Sequence, residues 1–218
     1  MNAREEILGR IRRALADVPE TERPEDVPVP RRYSTGGTPP PGSAEAVALL
    51  TDRLVDYRAA VRTAGPGEVA GAVAEALSGA LAARGAGGVV VPEGFPAEWR
   101  AWPASVRVLH DDPPLPVDEL DAVAGVVTTA AVAVAATGTL VLDCGPGQGR
   151  RALTLVPDYH LCVVRAEQVV FSLPEGLARL DPSRPLTFVS GPSATSDIEL
   201  RRVEGVHGPR TLEVLIVV

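Results

Sequence analysis

Residues 212–218 read Leu-Glu-Val-Leu-Ile-Val-Val, and residues 161–164 read Leu-Cys-Val-Val. Both runs are apolar and rich in β-branched side chains, without the strict alternation of a strand that keeps one face in water. Such runs belong to strands covered on both faces, as in a mostly parallel sheet held between layers of helices. Further short runs lie between turn signals at 88–91, 106–109, 123–127, 139–142 and 186–189. Helical stretches separate several of them. Ser43 caps one in which Val47, Leu50, Leu54, Tyr57 and Val61 keep a three-to-four spacing. After the Gly65-Pro66-Gly67 break, Val69, Val73, Leu77 and Leu81 mark another, stopped by Gly85. The expected class is α/β, an open and mostly parallel sheet with helices on both faces.

Upstream of this body the composition changes. Residues 2–16 read as a helix capped by Asn2, with Glu5 three residues on and Ile7, Leu8, Ile11 and Leu15 on one face. Residues 17–42 hold seven prolines with Gly36 and Gly37, a composition that sustains neither a helix nor a central strand. The expected organisation is an arm over 1–42, helix plus linker, and an α/β domain over 43–218. An apolar face on a tethered arm has to pack on its own domain or on a partner chain, so a homo-oligomer through the arm is one expectation.

The 218 residues carry 21 basic and 28 acidic side chains, a formal charge of −7. That balance argues against a general nucleic-acid binder, whose affinity comes from neutralising phosphates. Every basic residue is Arg. Without Lys there is no Schiff-base lysine, pyridoxal-phosphate site or Walker-type phosphate loop. Cys144 and Cys162 form no CxxC and cannot alone ligate an iron–sulfur cluster, so both are expected as reduced thiols. His110, His160 and His207 lack zinc-ligand spacing, and no metal site is expected. With no signal-peptide pattern at the start of this sequence and no apolar run of membrane-spanning length, a cytoplasmic location is expected.

Three segments carry the candidate chemistry. In the first, Gly138 stands between Thr137 and Thr139, a turn that can offer backbone N–H groups and hydroxyls to an anion or simply lead into a strand. The second runs Asp143-Cys144-Gly145-Pro146-Gly147-Gln148-Gly149-Arg150-Arg151. Its glycines permit close approach of a ligand and Arg150 and Arg151 can meet an anion, but the G-x-G-x-G spacing is not a dinucleotide fingerprint. The third follows the 186–189 run: Ser193, Thr195, Ser196 and Asp197 supply capping groups for a short helical turn, with Glu199 beyond them. His207 then sits between glycines, a titratable group near carboxylates. Ligands of open α/β sheets gather beyond the carboxyl ends of strands. The three segments are therefore expected to meet there in one pocket for a small carboxylate or phosphate. Thr137, Gly138, Thr139, Gly145, Gly147, Gln148, Arg151, Ser193, Thr195, Ser196 and Asp197 would bind it, and His207 and Glu199 would move a proton or orient a hydroxy acid.

Taken together, the runs GTLVL (138–142), GPGQGR (145–150), LVPDYHLCVV (155–164), GPSxTSDIE (191–199) and GVHGP (205–209) resemble the LUD domain of lactate utilization protein C. So do the N-terminal REEILxxI helix at 4–11 and its proline-rich tether. The resemblance covers most of the chain and is densest over 123–218. It implies a fold like the ribose-5-phosphate isomerase and CoA-transferase group, and a part in oxidation of L-lactate to pyruvate. It also implies partner proteins that carry the iron–sulfur clusters, with no cofactor in this chain. One departure stands out: Ala136 occupies a position where many relatives have Glu before Thr-Gly-Thr. Stand-alone catalysis is thereby in doubt. A ligand-binding or scaffolding module without chemistry of its own remains the competing reading, and a free-standing acyl- or CoA-transferring enzyme, which would want that Glu, is the weaker third.

Overall fold

The computed structural model describes residues 2–19, 21–26, 28–30, 32, 37–84, 87–102, 104, 106–192, 194–195, 203–204 and 207–218. The chain divides into two compact units, Met1–Tyr33 and Ser34–Val218. In the first, α1 (Ala3–Ala14) begins with a reciprocal cap. The Asn2 side chain accepts from the Glu5 N–H at 2.9 Å, and the Glu5 carboxylate accepts from the Asn2 N–H at 3.2 Å. Acidic residues in the first turn and Arg12 and Arg13 in the last match the helix dipole.

The second unit starts with α2 (Ala44–Asp56), where the Ser43 hydroxyl accepts from the Ala46 N–H at 3.2 Å. The helix expected to continue through Val61 ends at Asp56. Arg58 has φ 67°, and the chain turns into β1 (Ala60–Ala64). Val61-Arg62-Thr63 is a β-favouring run, and pairing with the last strand of the sheet overrides the helical spacing. Next come α3 (Val69–Arg84), β2 (Gly88–Val90), β3 (Arg107–Leu109), α4 (Val117–Asp121) and β4 (Gly125–Thr129). They are followed by β5 (Val132–Val134), β6 (Thr139–Leu142), β7 (Tyr159–Arg165), β8 (Val169–Val170), α5 (Leu173–Leu177) and β9 (Thr187–Val189). The chain closes with β10 (Ala194–Thr195), β11 (Val203–Glu204) and β12 (Thr211–Val217).

Six strands form a wholly parallel sheet in the order β1-β12-β7-β4-β2-β3. The β12–β7 pair aligns Thr211 with Tyr159 and Val217 with Arg165. Alternate residues of β7 serve opposite cores: Leu161 and Val163 pack with Val69, Val73 and Leu77 of α3, and Cys162 and Val164 with Val47, Leu50 and Leu54 of α2. This is why the runs are apolar apart from Glu213, which accepts from the Tyr159 hydroxyl at 2.8 Å and pairs with Arg62 at 2.7 Å, and it bears out the open α/β sheet with helices on both faces.

Residues 139–142 and 187–189 are strands as expected, but they belong to a second sheet, ordered β8-β5-β6-β9, in which β6 runs antiparallel to both neighbours. The connection from β5 to β6 is only Ala135–Gly138, too short for a parallel crossover and suited to a hairpin. Gly138 closes it at φ 59°, where a Cβ would fall 2.8 Å from that of Arg53. The helical turn expected after Ser193 is also absent at its described start: Ala194–Thr195 are extended and pair with Val203–Glu204. Gly42 donates its N–H to the Val169 carbonyl at 2.9 Å, and Gly37 lies against the Phe171 ring, so the end of the linker is built into the body.

Candidate functional site

The glycine-rich loop sits at the carboxyl ends of β2 and β4. The Thr129 N–H donates to the Gly147 carbonyl at 2.8 Å, and the Gly147 N–H donates to the Glu93 carbonyl at 2.7 Å. Gly147 has φ 74°, and a Cβ there would lie 2.9 Å from the Thr129 hydroxyl. Asp143 anchors the loop's start. Its carboxylate accepts from the Gly145 N–H at 3.0 Å and pairs with Arg184 at 2.8 Å, while the buried Gln148 side chain accepts from the Asp143 N–H at 2.6 Å. The Arg150 guanidinium grips Asp111 bidentately at 2.7 and 3.0 Å and donates to the Leu115 carbonyl at 2.7 Å. The groups of Gly145, Gly147 and Gln148 that were expected to face a ligand are therefore engaged in holding the loop. The Arg151 side chain is exposed, and no ion pair reaches it among the described residues.

Arg151 lines a cavity of about 250 Å³ together with Thr154 and Leu155. The end of β9 and the Ser190–Pro192 turn make a second wall, and His207–Pro209 a third. Its volume is below the usual range for drug-sized ligands, so the guest it suits is small. Thr137 and Thr139 reach it indirectly. Their hydroxyls are 2.7 Å apart, and the Thr139 hydroxyl lies 2.8 Å from that of Ser190, which borders the cavity. Gly138 positions this relay. The structure thus gathers Arg151, His207 and the Thr137–Thr139–Ser190 hydroxyls. Ser193, Ser196, Asp197 and Glu199 lie outside the described residues, as does the side chain of Thr195.

His207–Pro209 lead into the amino end of β12, so one wall of the cavity stands beside that end, while Arg151 comes directly from the end of the glycine loop. Sequence reading missed Thr154 and Phe188 of the cavity wall. Thr154 stands three residues after Arg151 in one turn, donating to its carbonyl at 3.2 Å, a spacing that could have flagged it.

A second polar group is wholly internal. His160 Nε2 and the Thr128 hydroxyl share a 2.7 Å hydrogen bond between β7 and β4. Burial pushes His160 down to about 4. It pushes the neighbouring Cys162 thiol up to about 12, with the Thr128 hydroxyl opposing. Both cysteines are free. Among the described residues no cluster of three or more His, Cys, Asp or Glu side chains could hold a metal, and no helix is long and apolar enough to cross a membrane.

Residues 118–217 match the model of the LUD domain. The chain is 45% identical to lactate utilization protein C of Deinococcus radiodurans over 99% of its own length and 95% of that protein. It is 32% identical to lactate utilization protein C of Geobacillus kaustophilus, over 66% of this chain and 68% of that one. A crystal structure of a DUF162 family protein from Deinococcus radiodurans superposes with a TM-score of 0.65 at 41% identity, covering 80% of this chain and 98% of that one. The near full-length identity to lactate utilization protein C of Deinococcus radiodurans, together with the LUD-domain match over 118–217, places the chain in the LUD-domain family of lactate utilization protein C.

Proposed function

We propose that the protein acts in lactate utilization, as a subunit or accessory protein of a system that oxidises L-lactate to pyruvate, and that its cavity holds the small anion. Full-length similarity to lactate utilization protein C supports the pathway. The observation that carries the anion is Arg151, an arginine with no carboxylate partner among the described residues, beside Thr154, Ser190 and His207 in a small cavity. A guanidinium meets a carboxylate through two parallel N–H···O bonds, and flanking hydroxyls add orientation. Oxidising lactate removes two electrons and two protons from its carbinol. The two electrons pass to iron–sulfur partner proteins, the proton of the carbinol C–H is released to water, and His207, with Glu199, receives or positions the hydroxyl proton.

Calorimetric titration with lactate, pyruvate and phosphate tests this reading. Wild-type protein is expected to bind at least one of them, and Arg151→Ala to weaken that binding tenfold or more. Absence of binding to the protein, alone and with the cluster-bearing partners, would refute it. A second reading, a binding or scaffolding module without chemistry, is favoured by Ala136: its N–H donates to the Phe171 carbonyl at 3.0 Å and its methyl offers no nucleophile. It predicts that His207→Ala leaves lactate turnover by the assembled system unchanged.

A further inference from the structure

We propose that Leu155 sets the side-chain specificity of the cavity, which takes 2-hydroxy acids bearing one carboxylate and an apolar chain longer than lactate's methyl. The inference rests on the reading that this cavity holds the acid. Arg151, Thr154 and Leu155 line it together. Arg151–Thr154 form one helical turn and Leu155 caps it, so the three side chains, at i, i+3 and i+4, reach the cavity from one side of that turn. A guanidinium, a hydroxyl and an isobutyl group thus follow one another along the wall. The C2 carbon of a 2-hydroxy acid carries the matching set: a carboxylate, a hydroxyl and an alkyl chain. Thr154 donates to the Arg151 carbonyl at 3.2 Å, which leaves its oxygen lone pairs to accept from the hydroxyl of the acid.

Leu155 has no core to serve. It is half-buried, and among the described residues it belongs to none of the four hydrophobic clusters, whereas Leu153 and Val156 on either side pack with Val90 and Val126. Its apolar surface is left for a ligand. The cavity also has room to spare. A water takes up roughly 30 Å³ of liquid, so lactate displaces on the order of 100 Å³. About 250 Å³ is available. Space left empty beside Leu155 forfeits dispersion contacts that a longer chain would make, and each methylene buried there tightens binding about fourfold. Charge sets the other limit. The described lining residues supply one guanidinium and no second arginine. A second carboxylate at the end of the chain would lie against the isobutyl group, away from Arg151, so a dicarboxylic acid is rejected.

Titration calorimetry on the full chain, alone and with the cluster-bearing partners, tests this with L-lactate, L-2-hydroxybutyrate and L-malate. Wild type is expected to bind 2-hydroxybutyrate about fourfold tighter than lactate, and malate about tenfold or more weaker. Leu155→Trp, which fills the space, should keep lactate and reverse the order of the two monocarboxylic acids. Leu155→Arg should bring malate up to lactate or above it, because the introduced guanidinium meets the second carboxylate. Both variants are expected to keep the wild-type circular dichroism spectrum, and the acid series on wild type gives the ranking without any substitution. A wild type that ranks lactate above 2-hydroxybutyrate, malate bound as tightly as lactate, or folded Leu155 variants with an unchanged ranking would overturn the specificity assigned to Leu155 while leaving lactate in the cavity. Binding of none of the three acids would overturn it together with the reading on which it rests.

Discussion

Protonating one imidazole should unfold this protein by a calculable amount. His160 is fully buried, its hydrogen-bond partner is the Thr128 hydroxyl, and among the described residues no carboxylate offsets a charge on it. The unfolded chain takes up this proton near pH 6.5, the folded chain only near pH 4. Between those values the unfolded state binds more protons, so stability falls as pH is lowered; above about pH 7 the site is silent. The interval from 6.5 to about 4 corresponds to about 2 kcal/mol lost by pH 5 and about 3 kcal/mol by pH 4. Carboxylates also titrate towards the acid end, so the reference is His160→Gln, whose amide can still bond Thr128 but cannot take the proton. Urea unfolding, followed by fluorescence of the buried Trp99, should be run on both proteins at pH 7, 6 and 5. Wild type should lose about 2 kcal/mol more than the variant between pH 7 and 5, about 1 M in urea midpoint at an m-value near 2 kcal/mol/M. Equal pH slopes in the two proteins would refute the neutral buried imidazole.

Three further outcomes are expected. Gly147→Ala should cost about 1–3 kcal/mol in thermal unfolding, because a Cβ at φ 74° strains the backbone and meets the Thr129 hydroxyl at 2.9 Å. Arg150→Ala should cost about 2 kcal/mol in urea unfolding, since it strands the nearly buried Asp111 carboxylate; more would be lost were the guanidinium not 39% exposed and screened. Labelling with a thiol reagent at pH 7 should modify one cysteine per native chain, the half-buried Cys144, and both after denaturation. Cys162 is fully buried and its thiol is pushed up to about 12.

The sheet was legible because its cause is local. Val163 and Val164 must both be apolar when α3 covers one face and α2 the other, and that demand is written residue by residue in the runs at 161–164 and 212–218. The cap of α1 was legible for the same reason, since Asn2 and Glu5 satisfy each other's backbone within one turn. The arm's exposed face could likewise be read from Ile7, Ile11 and Leu15. Which sheet a strand joins was not legible. Residues 139–142 are as apolar as 161–164, yet a four-residue hairpin commits them to an antiparallel partner, and Val61 changed from helix to strand because β12 offered it a ladder. The candidate site follows the same division. Sequence alone marked Arg151, Thr139 and His207 as groups able to meet an anion, since side-chain chemistry is a property of the residue. Only the tertiary structure brought Arg151 to His207, joined Thr139 to Ser190 across 51 positions of chain, and turned Gly145–Gln148 inward on Asp143, Glu93 and Thr129. Whether a polar group is open to a ligand depends on what else can satisfy it, and its competitors stand on distant segments that only packing brings within reach.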